Sequence, residues 1–108
     1  MAARYLAKEK QMKILEKNWK EGRHEIDLIC LDGPQLVFVE VRARSVNAKV
    51  SGYYSISQKK RQHLRAGAYR YLNNIRPRPR HYRFDIVEVR IEGAKAAEIH
   101  HFSNADIF

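Results

Sequence analysis

A chain of 108 residues has the length of one domain, and folding it should remove roughly two-thirds of its extended surface from water. Its 44% apolar and 31% charged residues exclude a disordered chain, and the single Cys30 excludes a disulfide framework or a multi-cysteine zinc site. A net charge of +9, from 21 Lys and Arg against 12 Asp and Glu, points to a polyanionic partner, nucleic acid ahead of an anionic membrane.

The first ten residues suggest a short helix carrying Tyr5 and Leu6, without the continuous apolar stretch of a signal peptide. No apolar run approaches the length of about 20 residues that crosses a bilayer, so a cytoplasmic, reduced protein that does not enter membranes is expected. Met12 to Trp19 mixes apolar and charged residues and fits either strand or helix. Glu25-Ile-Asp-Leu-Ile-Cys-Leu31 reads as a strand ending at the turn Asp32-Gly-Pro34, and Gln35-Leu-Val-Phe-Val-Glu-Val41 resumes as its antiparallel partner. Cys30, among Ile29, Leu28 and Leu31, reads as a buried thiol.

Residues 45–55 have loop character. A helix is predicted from Ser57 to Asn74, with Ile56, Leu64, Ala68, Tyr71, Leu72 and Ile75 on one stripe. Gly67 within it costs on the order of 1 kcal/mol relative to Ala. Arg76-Pro-Arg-Pro-Arg80 stops the helix. Tyr82 to Ile91 forms another strand, Glu92-Gly93 a turn, and Ala97 to Phe102 a short last strand. The predicted order is α-β-β-β-α-β-β in a single domain spanning 1–108, with no repeat and no linker.

The charge is unevenly placed. From Val41 to Phe84 there is no acidic residue, yet the stretch holds 12 basic ones; the remaining 64 residues hold the other 9 and all 12 acids. A solvated face would interleave both signs, because like charges repel. The basic half therefore suits a phosphate backbone, a contact that positions a chain but reads no sequence.

The hairpin carries the sharpest chemical signal. Alternation should put Glu25 and Asp27 on one face and Glu40 and Arg42 on another. Glu40 interrupts the apolar run Leu36 to Val41, and burying a lone charge costs several kcal/mol. Carboxylates gathered on neighbouring strands accept a hard cation, Mg²⁺ or Mn²⁺, rather than zinc. An ion pair between Glu40 and Arg42 explains the spacing equally well. The predicted helix adds a second pointer: Lys60 lies within the apolar stripe, one turn from Ile56 and one from Leu64, while Lys59, Arg61 and Arg65 point outward. An inward lysine can reach buried carboxylates or the phosphate they act on, or it can snorkel to the surface.

Glu25-Ile-Asp-Leu-Ile, Phe38-Val-Glu-Val-Arg-Ala-Arg44, Lys60-Arg61 ahead of Ala68-Tyr-Arg-Tyr-Leu72, and Arg83-Phe-Asp-Ile-Val87 together resemble the YraN-like family, over Ala3 to Asn104. That small bacterial family is itself similar to the restriction-endonuclease-like, or PD-(D/E)XK, nucleases and Holliday-junction resolvases. The resemblance implies an α/β fold with an αβββαβ core, a mixed sheet flanked by helices, in agreement with the element order above. It implies that Asp27 and Glu40 bind a divalent metal, that the Val41 carbonyl completes the site, and that Glu25 supports it. Arg42 stands at the position of the motif lysine, and Lys60 at a basic position on the following helix. Asp85 matches an acid of the family's Arg-Phe-Asp string, and its alternation with Val87 and Val89 gives it a structural hydrogen-bonding role at least as readily. The resemblance also implies a homodimer, since resolvase-like nucleases act on two strands.

Two departures stand out. The family's first helix usually carries a glutamate near a glycine, and the chain is expected to start just after that point; Glu9 does not match the position. Arg42 stays charged at any working pH, so it cannot take a proton from water as a neutral lysine can.

The leading expectation is thus a Mg²⁺-dependent (or Mn²⁺-dependent) nuclease acting on branched or structured DNA. Asp27 and Glu40 would hold the metal, with Glu25 orienting water. Arg42 and Lys60 would stabilise the phosphate. Arg44, Lys59, Arg61 and Arg65, with Arg76, Arg78, Arg80 and Arg83, would grip the backbone, and Tyr53 and Tyr54 could stack on an unpaired base. The alternative is a nucleic-acid-binding module on a nuclease fold that no longer cuts. A protein-interaction or membrane-surface role draws on the same charge and predicts little dependence of nucleic-acid affinity on salt.

Overall fold

The computed structural model describes residues 1–47 and 56–108. Helix α1 (Ala2–Lys8) leads into three strands, β1 (Lys13–Glu21), β2 (His24–Asp32) and β3 (Gln35–Ser45). Helix α2 (Gln58–Asn73), β4 (Tyr82–Glu92) and β5 (Lys95–Phe102) follow. The five strands lie side by side in chain order, antiparallel except where β3 runs parallel to β4. A parallel neighbour cannot be reached by a hairpin, and the connection between these two strands contains α2. The α/β reading with a mixed sheet and two helices is what the structure has. Among the described residues, no helix is long and apolar enough to cross a membrane.

Turn chemistry sets the hairpins. Asp32 pairs with Gln35, leaving the two-residue loop Gly33-Pro34, and Gly33 takes φ +60°, which costs a residue without a Cβ nothing. Gly22, at the same φ, does this between β1 and β2, a turn that settles Lys13–Glu21 as a strand.

Alternation sorts the apolar side chains onto two faces. Leu36, Phe38, Phe84 and Ile86 meet Leu64, Ala68 and Leu72 of α2, together with Ile56 and Ile107. Val37, Val39, Val87, Leu28 and Cys30 meet Ala2 and Leu6 of α1 and Met12 beyond it. Each buried Leu, Ile or Phe contributes about 1.5–3 kcal/mol relative to exposure. Gly67 marks where α2 lies close on β2: a Cβ there would stand 3.4 Å from the Ile26 side chain and 3.5 Å from that of His24, in ordinary van der Waals contact. Ser57 caps the helix, its hydroxyl accepting from the Lys60 N–H.

The alternation breaks within β2. Ile26 and Ile29 belong to the α2 face, whereas Leu28 and Cys30 belong to the other. The irregularity falls at Asp27, across from Asn18 of β1, which has φ +52° and lies between the pairs Lys17–Leu28 and Trp19–Ile26. The pairing of β2 with β3 ends at the same level, at Leu28 opposite Val39. Beyond it the two strands part, and the candidate site sits in that fork.

Candidate functional site

With the ladder ended, the Val41 N–H has no strand partner on its β2 side. It donates instead to Asp27 Oδ2 at 2.8 Å. Strand geometry turns the Val41 carbonyl toward the same side as its N–H. Asp27 and Val41 both line an open cleft of about 320 Å³, with Lys17, Asn18 and residues 1–3 on its other walls.

Glu40 shares the parity of Leu36 and Phe38 and so faces α2, where it is 5% exposed. Its Oε2 lies 3.5 Å from Lys60 Nζ and 3.7 Å from the Arg42 guanidinium. Both cations stand off at ion-pair range, longer than a charge-assisted hydrogen bond. Burial, a hydrogen bond with Asp27 and the Asp27 charge push the Glu40 carboxyl up to about 7, against the opposing pull of Lys60 and Arg42. Asp27, Glu40, Arg42 and Lys60 are thus brought together. Lys60, read as an inward lysine, does reach a buried carboxylate, and it also lines an open groove of about 500 Å³ with Ser57, Lys59, Gln62 and His63.

Glu25 is not brought to them. It is exposed and stands in register with Lys20, because the irregularity at Asp27 cancels the expected sharing of a face. Among the described residues, no three His, Cys, Asp or Glu side chains gather into a group that could hold a metal. The acidic contribution at the fork is therefore two carboxylates.

The arginines divide into different environments. Arg83 is not placed to grip a backbone. Its guanidinium is only 12% exposed, bonded to Asp85 and Gln35, and 3.0 Å from Asp32. Arg76 donates to the Asn73 and Ile75 carbonyls and Arg78 to the Asn73 side chain, beyond the C-terminal end of α2. Arg61 and Arg65 donate to the carbonyls of Asp106 and Ile107. Lys59 and Arg80 are exposed, and Arg44 is half-buried on β3. Tyr53 and Tyr54 lie outside the described residues.

Asp85 is fully buried and takes the structural role. It accepts from Arg83 Nε at 2.9 Å and from the Asn104 N–H at 2.9 Å, and His101 Nε2 lies 2.8 Å away. Cys30 is buried as expected, its thiol pushed up to about 12 by burial and by the Asp85 charge. Sequence reasoning missed Glu88, which is completely buried, pairs with Arg90 at 2.9 Å and stands in register with Arg42. Its signal was the one used for Glu40: an acid inside an apolar run, here Ile86-Val-Glu-Val89.

Residues 1–89 match the model of the uncharacterised protein family UPF0102. The chain belongs to that family. It is 37% identical over 95 residues to a UPF0102 protein of Lawsonia intracellularis, covering 88% of this chain and 71% of that one. It is 38% identical over 105 residues to one from Pelotomaculum thermopropionicum, covering 96% and 87% of the two chains. A third relative, from Ectopseudomonas mendocina, is 38% identical over 95 residues, 87% of this chain and 80% of its own. The family match contains Asp27, Glu40, Arg42, Lys60 and Asp85.

Proposed function

We propose that this protein is a divalent-metal-dependent phosphodiester hydrolase acting on nucleic acid, with DNA that is branched or otherwise structured as the favoured substrate. The observation that carries this reading is the fork between β2 and β3, where Asp27 holds the Val41 N–H and the buried Glu40 carboxylate has Lys60 at 3.5 Å and Arg42 at 3.7 Å. The likeness of the sequence to PD-(D/E)XK nucleases and the acid-free stretch from Val41 to Phe84 support it.

The residues present fit a hard cation. Two crowded carboxylates, one of them pushed up to about 7, repel each other when both are ionised, and a cation between them would relieve that repulsion. Mg²⁺ needs no all-protein cage; one or two carboxylates with water and substrate oxygens are its usual set. Asp27 and Glu40, with the Val41 carbonyl, would hold it. When bound, such an ion supplies an acidified water and neutralises charge on the leaving oxygen. Asp27 also fixes the strand end through the Val41 N–H. Lys60 and Arg42 keep positive charge beside Glu40, where a phosphate would approach, and hold it through the build-up of negative charge. Arg42 orients and neutralises but takes no proton.

The test is a panel of labelled duplex, flap and four-way-junction DNAs with Mg²⁺ or Mn²⁺, alongside calorimetric titration with Mn²⁺. Cleavage and Mn²⁺ binding that both disappear in Glu40→Gln support the hydrolase. Unchanged cleavage in that variant would refute the assignment of the site. A second reading, a nucleic-acid-binding module that does not cut, draws on the two-carboxylate count and on Arg42. It predicts salt-dependent DNA binding with no Mn²⁺ binding in either protein.

A further inference from the structure

Helix α2 has an outward ridge of which the nuclease expectation drew only on Arg61 and Arg65. Positions four apart on a helix lie nearly in line, and Ser57, Arg61, Arg65, Tyr69 and Asn73 form such a row. It starts one helical turn before Arg61, at the capping serine, and ends where Arg78 donates to the Asn73 side chain. Tyr69 and Phe108 are both 37% exposed, two of only four exposed large hydrophobic side chains among the described residues. Their rings touch, with centroids 5.5 Å apart.

Phe108 is held from beneath. Its ring lies edge-on to Tyr82 at 5.0 Å and packs on Phe38 and Phe84 at 6.1 and 6.0 Å. Arg61 and Arg65 are fixed beside it by their bonds to the carbonyls of Asp106 and Ile107, at 2.7 and 3.1 Å. Between these arginines and the Phe108 ring is a cleft of about 180 Å³, in which Asp106 is the one acid. A solvent-facing aromatic surface, anchored to a core and flanked by immobilised guanidiniums, has lost its side-chain entropy in advance. Stacking on such a surface suits any base, since every base has a π-face, and the arginines match the phosphates that come with it.

We propose that this ridge seats an unpaired stretch of nucleic acid, one base stacking on the Tyr69–Phe108 surface and its phosphates lying along Arg61 and Arg65. Tyr69 is nine residues from Lys60, about 13 Å along the helix axis, or about four nucleotide spacings of a duplex strand. Nine positions at about 100° each also place Tyr69 half-way round the helix from Lys60, so the ridge is a surface separate from the fork. The proposal rests on the reading of the substrate as nucleic acid but not on its cleavage.

The test is fluorescence anisotropy with a short oligothymidine and with a blunt duplex, in EDTA so that nothing is cut. Tyr69→Ala should weaken oligothymidine binding about tenfold or more and leave duplex binding unchanged. Tyr69→Trp, which retains a ring, should restore it. Equal losses on both probes, an oligothymidine affinity untouched by Tyr69→Ala, or failure of tryptophan to restore it would each overturn the proposal. Any of these with normal metal-dependent cleavage leaves the hydrolase standing. A wild-type protein that binds neither probe overturns both readings.

Discussion

Two buried carboxylates stand on neighbouring central strands, Asp85 on β4 and Glu40 on β3, one facing α1 and the other α2. Burial alone would raise both. At Asp85, hydrogen bonds from His101, Arg83 and the Asn104 N–H outweigh burial and hold the carboxyl below its ordinary range. At Glu40, burial is reinforced by Asp27, and the cations at 3.5 and 3.7 Å do not offset it. A carboxylate buried for architecture is given its full set of donors by the fold itself. One left beside a second acid keeps acceptor capacity for something that arrives from solution, which is how a binding site differs from a strut.

The widest gap between the two should appear in stability. Asp85→Ala leaves Arg83 with Asp32 and Gln35 alone and takes the buried acceptor from His101 and the Asn104 N–H, and should cost about 3–5 kcal/mol, read as a fall in the urea midpoint. Glu40→Gln relieves a crowded pair and should leave the midpoint unchanged or slightly raised. If Glu40→Gln proved the more destabilising of the two, the distinction between strut and site would fail.

The pH dependence should separate them by sign. Between about pH 4.5, the ordinary value for glutamate, and about pH 7, folded Glu40 binds more protons than unfolded Glu40. Unfolding free energy should therefore fall as pH rises through that window, by on the order of 1–3 kcal/mol. Asp85 acts oppositely: its contribution is complete above the ordinary aspartate value and is lost as pH falls through its lowered folded one. Urea unfolding from pH 2 to 8 checks this, and Glu40→Gln should remove the first slope while leaving the second, which lies below the ordinary aspartate value. A slope that persists in the variant would belong to other groups.

Much of this frame was legible because local signals agreed. The Asp32-Gly33-Pro34 turn and the β-branched runs beside it specify the hairpin, and the stripe from Leu64 to Leu72 specifies α2. Lys13–Glu21 was ambiguous for a physical reason: an edge strand with a bulge between Ile14 and Glu16 and a positive φ at Asn18 has no clean period. Glu40 and Lys60 were found as polar residues where the pattern demanded apolar ones. Glu25 misled because alternation was carried through Asp27, where the backbone departs from it. Arg83 looked like part of a basic tract, and only the tertiary fold supplies Asp85, Gln35 and Asp32 as its partners. Asp27's bond to the Val41 N–H follows from where one ladder stops, which no spacing encodes.

Lys60→Gln sharpens the comparison on the Glu40 side alone. Removing the cation at 3.5 Å should raise the Glu40 carboxyl further, moving its transition to higher pH in a carboxyl-resolved NMR titration. The fold should be unaffected, since the lysine is 39% exposed, and cleavage should fall about 10²-fold if Lys60 steadies a developing charge. A Glu40 transition that stays in place would mean that the ion pair is too weak to matter.

The smallest effect is expected at Arg42, the other cation near Glu40. Arg42→Lys keeps a positive charge at the position and exchanges a fixed planar fork for a flexible ammonium that can lose its proton. Electrostatic support of Glu40 should persist, so urea stability and duplex affinity should each stay within about threefold of wild type, inside the range of an exposed ion pair. Cleavage should be kept or raised, because a lysine can both neutralise a phosphate and hand on a proton, whereas arginine does only the first. A sharp loss of cleavage with DNA binding intact would show that the guanidinium's geometry matters at the fork. Arg42 would then be a specific phosphate ligand, and the pair of cations around Glu40 would no longer be interchangeable.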